Sequence, residues 1–326
     1  SVLKQKIVPN EPPSLSLSMV RPLGSLSILS VLVCCCSGLR LKADYKWSFS
    51  GSLRALTAAQ RLQRAKPLAW VHVPKCGAAI MNAVMHLPGV CPGLRRDDML
   101  CSAKSPDCDA FAWTMSHGGF THAQPADQVP VVCPGLSRWC MHLGFNRQFL
   151  NGFQGHGLIM LRQPEQRLMS GYYNSGDHHG WKPAWGEPSS ILEYARTVQG
   201  AGVKMLSRDG HWYQVGPPSD YETQLAVHRL RSGFAFVGLT DEHELSVCLL
   251  HRMFGGQCQQ QEFPVFHHGE GHTGNATYDL EALQGFKDVA DGALYSEAQQ
   301  IFAENSEFYK VSRRLCQSCF RDAGLL

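Results

Sequence analysis

Short apolar runs punctuate the chain, and between them lie longer segments whose apolar positions recur at helical spacing. LAWVHV (Leu68–Val73), GLIML (Gly157–Leu161) and FAFVGL (Phe234–Leu239) read as buried strands, and Phe111–Met115 as a further one. Helices are predicted over Ser52–Arg64, Ala78–Met85, Glu165–Tyr173, Ser190–Arg196, Tyr221–Arg231, Glu242–Phe254 and Leu294–Phe302. Pro164 suits the first turn of the third of these, because a proline there lacks only an N–H that would have no partner anyway. Strands alternating with helices predict βαβ units, hence an α/β fold with a central parallel sheet flanked by helices. Gly89–Asp109 mixes Cys, Pro, Gly and charge and reads as a disulfide-stapled insertion. Gly176–Pro188 carries two tryptophans among Gly, Pro and His and reads as a long loop. There is no internal repeat.

The first residues follow another pattern. Residues 1–18 are polar and aperiodic, whereas Met19 opens MVRPLGSLSILSVLVCCCSGL, with one arginine and an apolar run from Leu23 to Cys36. That is the layout of a secretory signal. The run is shorter than the ~20 residues of a comfortable membrane span, so a cleaved signal peptide and a short signal-anchor through residues 22–39 both stand. The chain thus divides into a leader (1–42), a linker or stem (43–66) and one domain (67–326). Asn275-Ala276-Thr277 is a glycosylation sequon, consistent with a luminal fate.

Composition narrows the function classes. Thirty basic and 27 acidic residues give a net charge of only +3, which argues against a general nucleic-acid binder and leaves room for a local anion pocket. The His178-His179 and His267-His268 pairs do not sit at zinc-finger spacing and read as loop histidines. Of 13 cysteines, Cys34, Cys35 and Cys36 fall in the leader. The rest cluster as Cys91, Cys101, Cys108, Cys133 and Cys140, then Cys248 and Cys258, then Cys316 and Cys319, with Cys76 apart. Such clusters suit disulfides in an oxidising lumen, although spacing does not assign partners. A zinc site built on Cys316 and Cys319 is the rival, without a second CxxC to complete it.

Two motifs carry chemistry. In WVHVPKCGAAIMNAV (Trp70–Val84) a strand runs into a tight Pro-Lys-Cys-Gly turn and then a helix. Such a turn aims backbone N–H groups at one point and suits a phosphate, and Lys75 adds a mobile cation. In LIMLRQPEQRLMSGYY (Leu158–Tyr173) a strand ends at Arg162 and Ser170 follows eight residues later on a helix. A guanidinium fork with a hydroxyl nearby grips a terminal phosphate. Taken singly, Lys75 is also what an ordinary surface turn carries, and Arg162 what an ion pair or helix end would use.

Together the two motifs resemble those of the Golgi-type carbohydrate sulfotransferases. HVPKCGAAI (His72–Ile80) is similar to that family's loop for the 5′-phosphosulfate, and RQPEQRLMSGY (Arg162–Tyr172) to its 3′-phosphate motif. FAFVGLTDEHELSVCLLHRMFGG (Phe234–Gly256) and DGALYSEAQQIF (Asp291–Phe302) resemble two further segments, in the family's order. The resemblance spans about residues 68–310. It implies a P-loop-NTPase-like sulfotransferase fold and transfer of a sulfonate from 3′-phosphoadenosine 5′-phosphosulfate (PAPS) to a hydroxyl, expected on a glycan. It further implies Golgi or secretory localisation and no metal. Pro74, Lys75, Cys76, Gly77, Ala78, Ala79 and Ile80 would hold the 5′ end of the donor, and Arg162 and Ser170 the 3′ end. Lys75 would stabilise charge on the leaving phosphate, and His117 in TMSHGGF would be the base, with His122 next in line. A histidine that merely orders a Gly turn is the other reading of His117.

The sequence departs from the family at Ala79 and Ile80, where hydroxyl residues are usual, and at Gln163, where aspartate or asparagine is usual. Two side-chain hydrogen bonds to the donor would be missing, each worth roughly 0.5–1.5 kcal/mol. A catalytically weakened luminal relative that binds a glycan or nucleotide is therefore the alternative. Cys76 at a helix terminus is expected to be redox-sensitive if that terminus favours its thiolate. A P-loop kinase is disfavoured, since the Walker A glycines and a metal-binding aspartate beside the loop are not evident.

Overall fold

A computed structural model of the chain describes residues 48–92, 133–137, 143–145, 149–173, 178, 180–211, 213–263 and 277–326. The leader, the expected strand at Phe111–Met115, His117, His122, His179, the His267-His268 pair and the sequon asparagine lie outside these residues.

The centre is a parallel sheet of β1 (Ala69–Val71), β3 (Gly157–Leu161) and β5 (Phe234–Leu239), in the order β1-β3-β5. Every residue of the three strands is buried. Successive side chains point to opposite faces, so unbroken burial means both faces are covered, which is why these strands read as continuous apolar runs. The segment 135–137 pairs beside Leu68, through Leu68 N–H to the Gly135 carbonyl (2.8 Å) and Ser137 N–H to the Leu68 carbonyl (2.8 Å). A small antiparallel pair, β2 (Leu143–Phe145) and β4 (Asp209–His211), stands apart and was not foreseen from the sequence.

Helices flank the sheet in two groups. One contains α2 (Ala58–Ala65), α3 (Ile80–His86) and α8 (His243–Phe254), and the other α6 (Ala201–Ser207), α7 (Asp220–Gly233) and α9 (Val289–Phe308). α1 (Phe49–Ser52), α4 (Pro164–Tyr172), α5 (Ile191–Val198) and α10 (Gln317–Asp322) complete the described helices. The predicted helix over Ser52–Arg64 is two helices. Thr57 interrupts it, because its hydroxyl accepts the Gln60 N–H and the Gln60 side chain returns to the Thr57 N–H, a reciprocal cap that starts α2 afresh. Ser219 and Glu222 do the same for α7. α9 runs well beyond the expected Leu294–Phe302, because Asp288 caps it through the Asp291 N–H.

Three disulfides are present among the described residues: Cys91–Cys133, Cys248–Cys316 and Cys258–Cys319. The first lies within the first cysteine group, whereas the last two join the second group to the third, across 68 and 61 residues. Cys316 and Cys319 are therefore both occupied, and the zinc site built on that pair falls. Disulfides belong to an oxidising compartment, secretory or extracellular. No helix among the described residues is long and apolar enough to cross a membrane.

Candidate functional site at the carboxyl ends of the strands

The two motifs meet at the carboxyl edge of the sheet. After β1 the chain turns at Val73-Pro74-Lys75-Cys76, closed by the Cys76 N–H on the Val73 carbonyl at 3.1 Å. Proline cannot take a positive φ, while Lys75 has φ +66°, which makes this a type II turn. That third position normally belongs to glycine; a lysine there carries backbone strain of order 1–3 kcal/mol. Lys75 is half-buried in this turn.

Gly77 follows, again in the left-handed region (φ +66°). A Cβ there would lie 3.1 Å from Thr240 Oγ1 and 3.5 Å from Met160 Cε, so the turn sits directly against β3 and the end of β5. The N–H of Ile80 is taken by the Gly77 carbonyl (3.3 Å), and the Ile80 side chain is fully buried in the core. Ile80 therefore turns neither group outward. Among the described residues no acceptor takes the N–H groups of Gly77, Ala78 or Ala79. These three residues have small side chains and are half-buried, which suits an anion cradle.

Cys76 is 1% exposed, and burial pushes its thiol up to about 12, against the opposing pull of Arg167 and Arg162. It is a neutral thiol at physiological pH, so the expectation of a redox-sensitive thiolate is corrected: burial outweighs the helix terminus. β1 and β3 run side by side, and Arg162 lies close enough to Cys76 to pull its thiol down, so the Lys75 turn and the Arg162 strand tip sit together.

Arg162 is half-buried, with its guanidinium 5.7 Å from the centre of the Tyr278 ring. Tyr278 is held there by a paired amide, its N–H donating to Gln166 Oε1 (2.7 Å) and its carbonyl accepting from Gln166 Nε2 (2.8 Å). Gln163 caps α4 by accepting the Gln166 N–H at 2.7 Å. Ser170, two turns into α4, is buried.

The sequence pattern did not foretell Asp241, Tyr295 or a buried charge cluster. Asp241 lies just past β5 and accepts from the Gln163 N–H (3.2 Å) and the Tyr295 hydroxyl (2.7 Å). Burial first, and that bond second, raise the Tyr295 hydroxyl above the usual tyrosine range. An aspartate does therefore stand beside the loop, contrary to expectation. Its signal was the Thr-Asp-Glu run directly after the apolar FAFVGL. Behind the turn, Arg167 pairs with Asp288 and Asp291, each at 3.5 Å. Asp288 also accepts the Gly200 N–H (2.8 Å), and Asp291 those of Gly202 (3.2 Å) and Val203 (3.0 Å), so the pair caps α6 from a distance. Burial, then Asp291, raises Asp288 to about 6. Lys204 is 1% exposed and its Nζ has no hydrogen-bond partner among the described residues; burial lowers it to about 8.

Trp181 and Trp185 pack edge to face at 5.3 Å. Lys182 Nζ lies 5.5 Å from the Trp185 ring and 5.0 Å from Tyr213. These contacts hold the loop down upon itself. A separate cavity of about 430 Å³, lined by Leu62, Lys66, Pro88 and Phe254 among others, includes none of the motif residues. No protein-family model, no curated protein and no solved structure matches the chain.

Proposed function

We propose that the chain is a PAPS-dependent sulfotransferase acting on a hydroxyl, with a glycan as the acceptor class, on a P-loop-like sulfotransferase fold. One observation carries this reading: the Lys75 turn and the Arg162 strand tip follow adjacent parallel strands, and Arg162 lies close enough to Cys76 to act on its thiol. A nucleotide with phosphates at both ends needs two such grips within one molecule's length.

The residues present fit that donor. The unclaimed amides of Gly77, Ala78 and Ala79 with Lys75 would hold its 5′ end, and Arg162, stacked on Tyr278, its 3′ end. When bound, the donor supplies an activated sulfonate. Lys75, fixed by a strained turn, lowers the cost of charge on the leaving phosphate, because it needs no reorganisation at the moment of transfer. The alanines at 78 and 79 leave the backbone as the source of hydrogen bonds on that side, and His117 remains the proposed base. The Golgi or wider secretory route is the proposed location, in keeping with the disulfides.

The test is incubation of the full chain with labelled PAPS and a panel of glycans, alongside Lys75→Ala. Transfer by the native chain and its loss in the variant support the reading. Binding of 3′-phosphoadenosine 5′-phosphate without transfer identifies the weakened luminal relative. Asp241 beside the loop favours a second reading, magnesium-assisted phosphoryl transfer. A strict divalent-ion requirement would select it.

A further inference from the structure

Away from the strand tips, α8 and the turn after it enclose a buried cluster with no part in the chemistry above. A ring nitrogen of His251, the Cys258 sulfur and a Glu262 carboxylate oxygen all lie within 4.8 Å of one another. Both ring nitrogens of His251 face oxygens, Nδ1 the Gly255 carbonyl at 3.1 Å and Nε2 the Glu262 Oε2 at 2.8 Å. A neutral imidazole has one N–H and cannot donate to both oxygens, and a cation at Nε2 would resolve that conflict. Glu262 is fully buried; its Oε2 also takes the Gln259 N–H (3.1 Å), while its Oε1 has no hydrogen-bond partner among the described residues. A half-satisfied carboxylate in the interior is costly, and a cation at this point would complete both groups.

We infer that His251, Cys258 and Glu262 form a zinc-type metal site, opened by reduction of the Cys258–Cys319 disulfide, with Cys319 as the fourth ligand. Zinc accepts mixed nitrogen, oxygen and sulfur donors at roughly 2.0–2.3 Å, which sets neighbouring donors about 3.3–3.8 Å apart. From separations of up to 4.8 Å, the donors reach that spacing by closing about 1–1.5 Å at most. The supporting contacts are already in place. The Gly255 carbonyl keeps the proton on Nδ1 and leaves Nε2 for the metal, as outer partners of metal-bound histidines do. The turn bearing Glu262 is held by His243 Nε2 on the Glu262 carbonyl (3.0 Å) and by Asn82 Nδ2 on the Gln261 carbonyl (2.8 Å).

The redox step balances with a dithiol as reductant. The dithiol gives two electrons and two protons, the S–S bond breaks, and Cys258 and Cys319 become thiols. Zinc binding then releases their protons together with the one between Nε2 and Oε2. Cys248–Cys316 anchors the chain three residues from Cys319, so the two freed sulfurs stay close. This inference is independent of the sulfotransferase reading.

The test uses full-length Cys319→Ser, which frees Cys258 without touching the other disulfides, titrated with cobalt(II). One cobalt per chain with a thiolate-to-metal charge-transfer band is expected, and no band from the oxidised native chain. His251→Ala in the same background should weaken binding at least about tenfold. No band, or a band indifferent to His251, overturns the inference. As a check that does not depend on the variant folding, zinc added to the reduced native chain should slow alkylation of Cys258 relative to Cys248. Equal labelling of the two overturns it as well.

Discussion

Replacing Lys75 by glycine and, separately, by alanine isolates the strain in the Pro74-Lys75 turn from the charge it presents. Both variants lose the ammonium and whatever it touches, so their difference reports the backbone alone. At φ +66° an L-residue carries roughly 1–2 kcal/mol of steric cost that glycine does not. Glycine gives back about 0.4–1 kcal/mol through its freer unfolded chain. The balance leaves Lys75→Gly about 1 kcal/mol more stable than Lys75→Ala, or some 2–4 °C in Tm for a domain of this size. Urea and thermal unfolding of the two variants, disulfides intact, measure it. Transfer of labelled sulfonate should be near zero in both. A glycine variant no more stable than the alanine one removes the strain. A glycine variant that still transfers at the native rate removes Lys75 from the mechanism.

Arg162→Ala leaves the backbone of the strand tip unchanged, so the fold should stand while the donor KM rises about 10–100-fold, with a smaller change in kcat. His117→Ala should lower kcat at unchanged donor KM; an unaffected kcat excludes it as the base. Lys204→Met should raise stability near pH 7 by up to about 3 kcal/mol, because a buried ammonium without a partner is replaced by an apolar chain. The sign follows from its lowered pKa. The native chain is penalised below about pH 8 and recovers as pH rises towards the unfolded value of 10.5, so the variant's advantage should fade over that window in chemical-denaturation curves. Asp288, raised to about 6 from 3.8, should make the native chain less stable as pH rises from about 4 to 6, a slope that Asp288→Asn abolishes.

β3 and β5 were legible in the sequence to the residue, because a strand buried on both faces must be an unbroken local run of apolar side chains. Both strand-to-helix turns of the two motifs were legible for a related reason: proline, glycine and the cations are neighbours in the chain, and turn chemistry is local. β1 proved shorter than LAWVHV because the Val73 carbonyl is already spent on the turn. α6 had no local cap to announce it; its first amides are satisfied by Asp288 and Asp291, far along the chain. Disulfide partners, the burial that silences Cys76, the closeness of Asp241 to Gln163 and Tyr295, and the cluster around Glu262 are likewise facts of three-dimensional neighbourhood. Periodicity reports which residues must leave water, since that depends on a residue and its near neighbours. Which distant residues then meet depends on packing of the whole core, and only the tertiary structure decides it.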